Sequence, residues 1–166
     1  MYTTKIKYYG FDDKEHEITL HFALTYSDLI TLQNTLPGGL VGMFDKIVET
    51  GDKVSTIILV KSLLVTAYGK PNRTKTLFDK SNKIKADFVN SAAYQKILRI
   101  MLTDGKEFEK FLHESLPVEV RQDIDKEEKH YNMNFGDLNL GFITKNKKTI
   151  FDDLSNLGFK LKTDEE

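Results

Sequence analysis

The run Lys53-Val54-Ser55-Thr56-Ile57-Ile58-Leu59-Val60-Lys61-Ser62-Leu63-Leu64-Val65-Thr66-Ala67-Tyr68 is the most apolar stretch of the chain. Its β-branched residues would suit a strand, but the run is too long for a typical one. A helix over about 53–68 is expected instead. With only Lys53, Ser55, Thr56, Lys61, Ser62 and Thr66 polar, so wide an apolar surface belongs at the centre of a core. Asp52 can cap its start, and Gly69 followed by Pro71 reads as a C′ glycine and a proline stop.

Upstream, Leu40, Met43, Phe44, Ile47 and Val48 stand at helical spacing between Pro37-Gly38-Gly39 and Gly51. Before that break, Leu29, Ile30, Leu32 and Leu36 give another apolar face. Thr25 is its cap, with Asp28 at the third position as in a capping box. Still earlier the period changes. Ile18, Leu20 and Phe22 alternate with Thr19 and His21, as in a half-buried strand. Residues 3–9 and 16–22, joined by Asp12, Asp13 and Lys14, predict a β-hairpin. Two strands alone are marginal in water, so the hairpin must pack on helices or on another chain.

Downstream, residues 70–80 read as polar and irregular around Leu77-Phe78. Helices are expected over about 82–89, 91–103 and 106–115, then a charged one from Pro117 to about His130. From Tyr131 the signals weaken, with Lys145-Asn146-Lys147-Lys148 as a loop and Ile150, Phe151, Leu154 and Leu157 as a short amphipathic helix. This arm wraps on the body, docks to a neighbour, or is mobile until bound. The expected class is α+β, mostly α: an N-terminal β-hairpin on a compact bundle of about five to six short helices, plus a less regular C-terminal arm. The expected division is a domain over 1–117 and a charged helix with arm over 118–166.

Composition narrows the function classes. At 166 residues, 40% apolar and 30% charged, the chain has the make-up of a soluble globular protein. No stretch approaches the roughly 20 apolar residues of a membrane span, so no membrane partner is expected. The opening Met1-Tyr2-Thr3-Thr4-Lys5-Ile6 alternates instead of forming the apolar block of an export signal, and a cytosolic protein is expected. The absence of cysteine excludes disulfides, thiolate zinc sites and thiol catalysis. A net charge of −1 gives no global attraction to nucleic acid, although nine Lys and Arg face three Asp between Lys70 and Lys106. That basic stretch is either a solvated face or a dock for an acidic partner. Phe78, Phe88 and Tyr94 interleave with its cations, but Phe88 and Tyr94 fall at core spacing, so no nucleic-acid partner is expected.

No pattern points to a reaction. His16, His21, His113 and His130 lie in no zinc-protease spacing, and His16 and His21 are expected on opposite faces of one strand. Gly38-Gly39 lacks the downstream Lys-Ser/Thr of a phosphate-binding loop. The carboxylate pairs Asp12-Asp13, Glu127-Glu128 and Asp152-Asp153 are sequence neighbours, and neighbours on a helix do not face each other. No serine occupies a nucleophile elbow. The expectation is a non-enzymatic protein with no catalytic residue, cofactor or metal.

A series of phrases supplies a more specific expectation. Tyr8-Tyr9-Gly10-Phe11-Asp12-Asp13-Lys14-Glu15 leads into Leu20-His21-Phe22-Ala23-Leu24-Thr25-Tyr26-Ser27-Asp28-Leu29. Gly38-Gly39-Leu40, Ala67-Tyr68-Gly69-Lys70-Pro71, Leu77-Phe78-Asp79-Lys80-Ser81 and Phe88-Val89-Asn90-Ser91-Ala92-Ala93-Tyr94 follow. Phe108-Glu109-Lys110-Phe111-Leu112 and Leu116-Pro117 end the series. In this order the chain resembles the tail assembly chaperones of long-tailed bacteriophages, over about residues 2–120. The arm departs from that pattern. The resemblance implies a protein of the host cell cytoplasm that holds the helical tape measure protein and recruits tail tube subunits. It also implies absence from the finished particle; the alternative is a structural virion protein, such as a tail completion or connector component.

On that reading the partner-binding candidates are Tyr94, Leu98, Met101, Phe108, Phe111 and Leu112, on the helices over 91–103 and 106–115. The same side chains can equally complete the core. Phe151, Leu154 and Leu157 of the arm are the other candidates, through contact with a partner or self-association with a neighbouring copy.

Overall fold

The computed structural model describes residues 1–126 and two short strands beyond them, β5 (Asn134–Phe135) and β6 (Leu138–Asn139). The expected hairpin is β1 (Tyr2–Tyr9) paired antiparallel with β2 (Glu15–Phe22), Tyr2 opposite Phe22 and Tyr9 opposite Glu15. Alternation places Tyr2, Ile6, Leu20 and Phe22 in the core, while Lys5 and Glu17 form an ion pair of 2.6 Å on the outer face. Turn chemistry closes the tip: the Gly10 N–H donates to the Lys14 carbonyl at 2.9 Å, and Asp13 adopts φ 58°.

Helices α1 (Tyr26–Thr35), α2 (Gly39–Thr50) and α3 (Lys53–Ala67) follow. The capping box at α1 is present, with Thr25 Oγ1 accepting from the Asp28 N–H and Asp28 accepting from the Thr25 N–H. Gly38 and Gly39 both take φ 77°, which reverses the chain between α1 and α2. Asp52 caps α3 by accepting from the Val54 and Ser55 N–H groups.

The passage out of α3 differs from expectation. Gly69 is not a left-handed C′ residue; α3 ends at Ala67 and runs directly into β3 (Tyr68–Pro71), which pairs with β2. β3 then pairs with β4 (Phe78–Asp79), giving a four-stranded antiparallel sheet in the order β1-β2-β3-β4. A Cβ at Gly69 would lie 2.7 Å from the Asp79 carbonyl oxygen and against the Phe78 ring, so close strand approach fixes glycine there. The stretch expected to be irregular is thus a second hairpin. Its turn is organised by Asn72, whose Oδ1 accepts from the Thr76 and Leu77 N–H groups at 2.9 and 3.1 Å.

Helices α4 (Asn82–Val89), α5 (Ala92–Thr103), α6 (Gly105–Ser115) and α7 (Val118–Lys126) complete the described body. An aromatic cluster joins sheet to helices. Phe22 meets Tyr2, Tyr68, Phe88 and Phe111 at ring-centroid distances of 5.5 to 6.0 Å. The Tyr2 hydroxyl donates to the Glu107 carboxylate, tying β1 to α6. α7 places Val120 in the same core, and β6 lies against α1.

Candidate partner-binding surface

The structure places the six candidates of α5 and α6 inside the monomer. Met101 and Phe111 are fully buried, and Tyr94, Leu98, Phe108 and Leu112 nearly so. Tyr94 packs edge-to-face on Phe88 at 5.2 Å, and Phe111 packs edge-to-face on both Tyr2 and Phe22 at 5.5 Å. β1 lies across α5 and α6, and that contact uses the apolar stripe that sequence offered to a partner. Phe151, Leu154 and Leu157 lie outside the described residues.

One outward apolar stripe is on α3. Ser55, Thr56, Leu59, Val60, Leu63, Leu64 and Ala67 face inward, while Val54, Ile57 and Ile58 are 66%, 39% and 40% exposed. With Lys61 these three form one stripe at i, i+3, i+4 and i+7. The helix expected at the centre of the core is therefore buried on one side only. Its two buried hydroxyls are satisfied at the capped end, Ser55 Oγ donating to Asp52 at 2.7 Å and Thr56 Oγ1 to the Asp52 carbonyl at 3.0 Å. The Lys46 ammonium at 2.8 Å, with Ser55, holds the Asp52 carboxyl far below the usual carboxylate range. One sequence signal marks this face. Lys53 and Lys61, the only charged residues of α3, both stand on its wet side.

Other exposed groups accompany the stripe. Tyr26 and Ile30 are exposed one turn apart on α1, and Tyr9 and Phe11 stand out from the tip of the first hairpin. The β3–β4 hairpin exposes Lys70, Arg73, Lys75 and Leu77. Phe88 stacks on Tyr68 at 3.7 Å and is buried with Tyr94, so neither ring is open to a nucleic-acid base. His16 hydrogen-bonds Asp12 at 2.9 Å and His21 pairs with Thr3 at 3.1 Å, at opposite ends of β2. Among the described residues no cluster of His, Asp or Glu can hold a metal ion, and no helix is long and apolar enough to cross a membrane.

The described residues thus form a small α+β body that turns branched aliphatics and lysines outward on one helix. The chain belongs to the phage tail assembly chaperone family, whose model matches residues 1–162. The match continues past residue 120, where the sequence phrases end, and takes in most of the arm. No curated protein and no solved structure matches the chain.

Proposed function

We propose that this chaperone holds the tape measure protein in the infected host's cytoplasm, bringing tail tube subunits to it, and that the α3 stripe is its client contact. The observation that carries the reading is the row Val54, Ile57 and Ile58, exposed side by side on a capped helix. A client helix with an apolar stripe can lay that stripe along such a row by helix-to-helix packing. Three aliphatic side chains make a small contact. A holding protein needs that, because it must let go when the tube closes, and many weak copies along a long client still hold it.

Co-expression of the full chain with the tape measure protein tests this. The triple variant V54S/I57S/I58S should lose some stability, because Ile57 and Ile58 are more than half buried, yet remain folded by circular dichroism and co-purify about tenfold less client, a loss of roughly 1.4 kcal/mol in binding. Equal recovery by the variant removes α3 from the role. A stoichiometric copy of the chain in purified particles would instead favour a structural virion component.

A further inference from the structure

We propose that the chain's own C-terminal segment, residues 150–157, docks on the α3 stripe and covers it until a client displaces it. The proposal rests on the reading of α3 as the client face and adds how that face is kept covered.

Four observations lead to this occupant. β6 lies against α1, and α1 packs on α3, so at Asn139 the chain is one helix away from α3. The eleven residues from Asn139 to Ile150 span up to about 36 Å when extended. The 15 residues of α3 measure only about 22 Å. The extended linker is therefore longer than the whole of α3. The segment's apolar residues Ile150, Phe151, Leu154 and Leu157 recur at i, i+1, i+4 and i+7, two turns long. The apolar part of the stripe, Val54 to Ile58, is just over one turn long, so the segment covers it with length to spare toward Lys61.

Charge supplies the fourth observation. Lys53 and Lys61 flank the stripe, both are exposed, and neither forms an ion pair with another described residue. The segment carries Asp152 and Asp153, and the chain ends Asp164-Glu165-Glu166. Opposite charges of this kind fix register and orientation more than they add affinity. Tethering supplies the rest. A short linker holds the segment at an effective concentration on the order of millimolar, so even a weak contact is mostly formed. A single free client helix then competes poorly, whereas a long client presenting many sites to many copies wins.

The experiment uses the full-length chain with a benzophenone amino acid in place of Ile58. On irradiation it should cross-link to residues 140–166 of the same molecule, with a yield independent of protein concentration. F151D/L154D should lower that yield several-fold and tighten tape measure binding about tenfold. A yield that grows with concentration, or cross-links confined to residues 1–126, overturns the proposal. Cross-linking to the segment without client binding in either form leaves the docking standing and defeats the client reading. Client binding at α3 without the cross-link does the reverse.

Discussion

Asp28 does the work of two residues. Its carboxylate accepts from the Thr25 N–H at 2.7 Å and hydroxyl at 2.8 Å, and from the Lys80 ammonium at 2.5 Å, so one side chain starts α1 and fastens the end of β4 to it. Burial alone would raise its carboxyl, but the Lys80 and Thr25 donors outweigh burial and hold it below the usual range. Lys80 also falls below its usual value, because its ammonium loses more to burial than Asp28 restores. The two halves of the pair are therefore unequal. Removing Lys80 leaves Asp28 with its Thr25 donors; removing Asp28 strands a half-buried ammonium and takes away the acidic half of the capping box, leaving the Thr25 cap itself in place. Asp28→Ala should cost about 2–4 kcal/mol and Lys80→Met less than about 1 kcal/mol in urea unfolding. Equal losses would mean that the pair acts as a simple surface salt bridge.

At the scale of elements, the second hairpin is held by what Gly69 lacks. Its Cα faces the Asp79 carbonyl and the Phe78 ring, and backbone on the far side cannot yield as a flexible side chain does. Gly69→Ala should cost about 1–3 kcal/mol by overpacking, with the loss of amide protection concentrated in β3 and β4. Protection lost evenly over the whole chain would show that the hairpin is not a separate weak point. The same glycine shows what could be read in advance. The caps at Thr25 and Asp52 were legible because a cap is chemistry within three residues, and β1 and β2 were legible because alternation is local too. Gly69 was read by the same local rule, as a helix stop, whereas its cause is a strand ten residues away. The six candidates of α5 and α6 are buried for a related reason. The stripe of α5 and α6 shows that those helices bury a face, but β1, from the other end of the chain, decides what covers it. α3 was harder still. An almost continuous apolar circumference carries no period to orient it, and only Lys53 and Lys61 mark its outer side.

Across the whole molecule, four groups that titrate on the acid side and whose protonation folding disfavours sit at joints between elements. Asp12 closes the tip of the first hairpin, Asp28 joins α1 to β4, Asp52 joins α2 to α3, and His21 lies on β2 across from β1. All three carboxyls are held below their ordinary value, Asp12 first by His16 and then by the Lys14 N–H. His21 is held below its ordinary value by burial and then by Lys75. The signs agree. For each group the unfolded chain binds its proton at a higher pH than the folded one, so stability rises with pH through each window. The contribution of His21 is present above about pH 6.5 and declines as pH falls through its lowered folded value. Those of the aspartates are present above about pH 4 and are lost as pH falls further, toward their folded values. The urea midpoint should therefore slip modestly between pH 7 and 5 and steeply between pH 5 and 3. Because the three aspartate joints loosen in the same acid range, one cooperative transition is expected there in place of stepwise release of elements. Asp52→Asn separates this account from general charge repulsion at acid pH. It should lower the midpoint at pH 7, where the Lys46 and Ser55 contacts are lost, yet make the fall from pH 5 to 3 shallower, since one titrating carboxyl is gone. A variant that is weaker at pH 7 and falls just as steeply would assign the acid limb to net charge instead of to these joints.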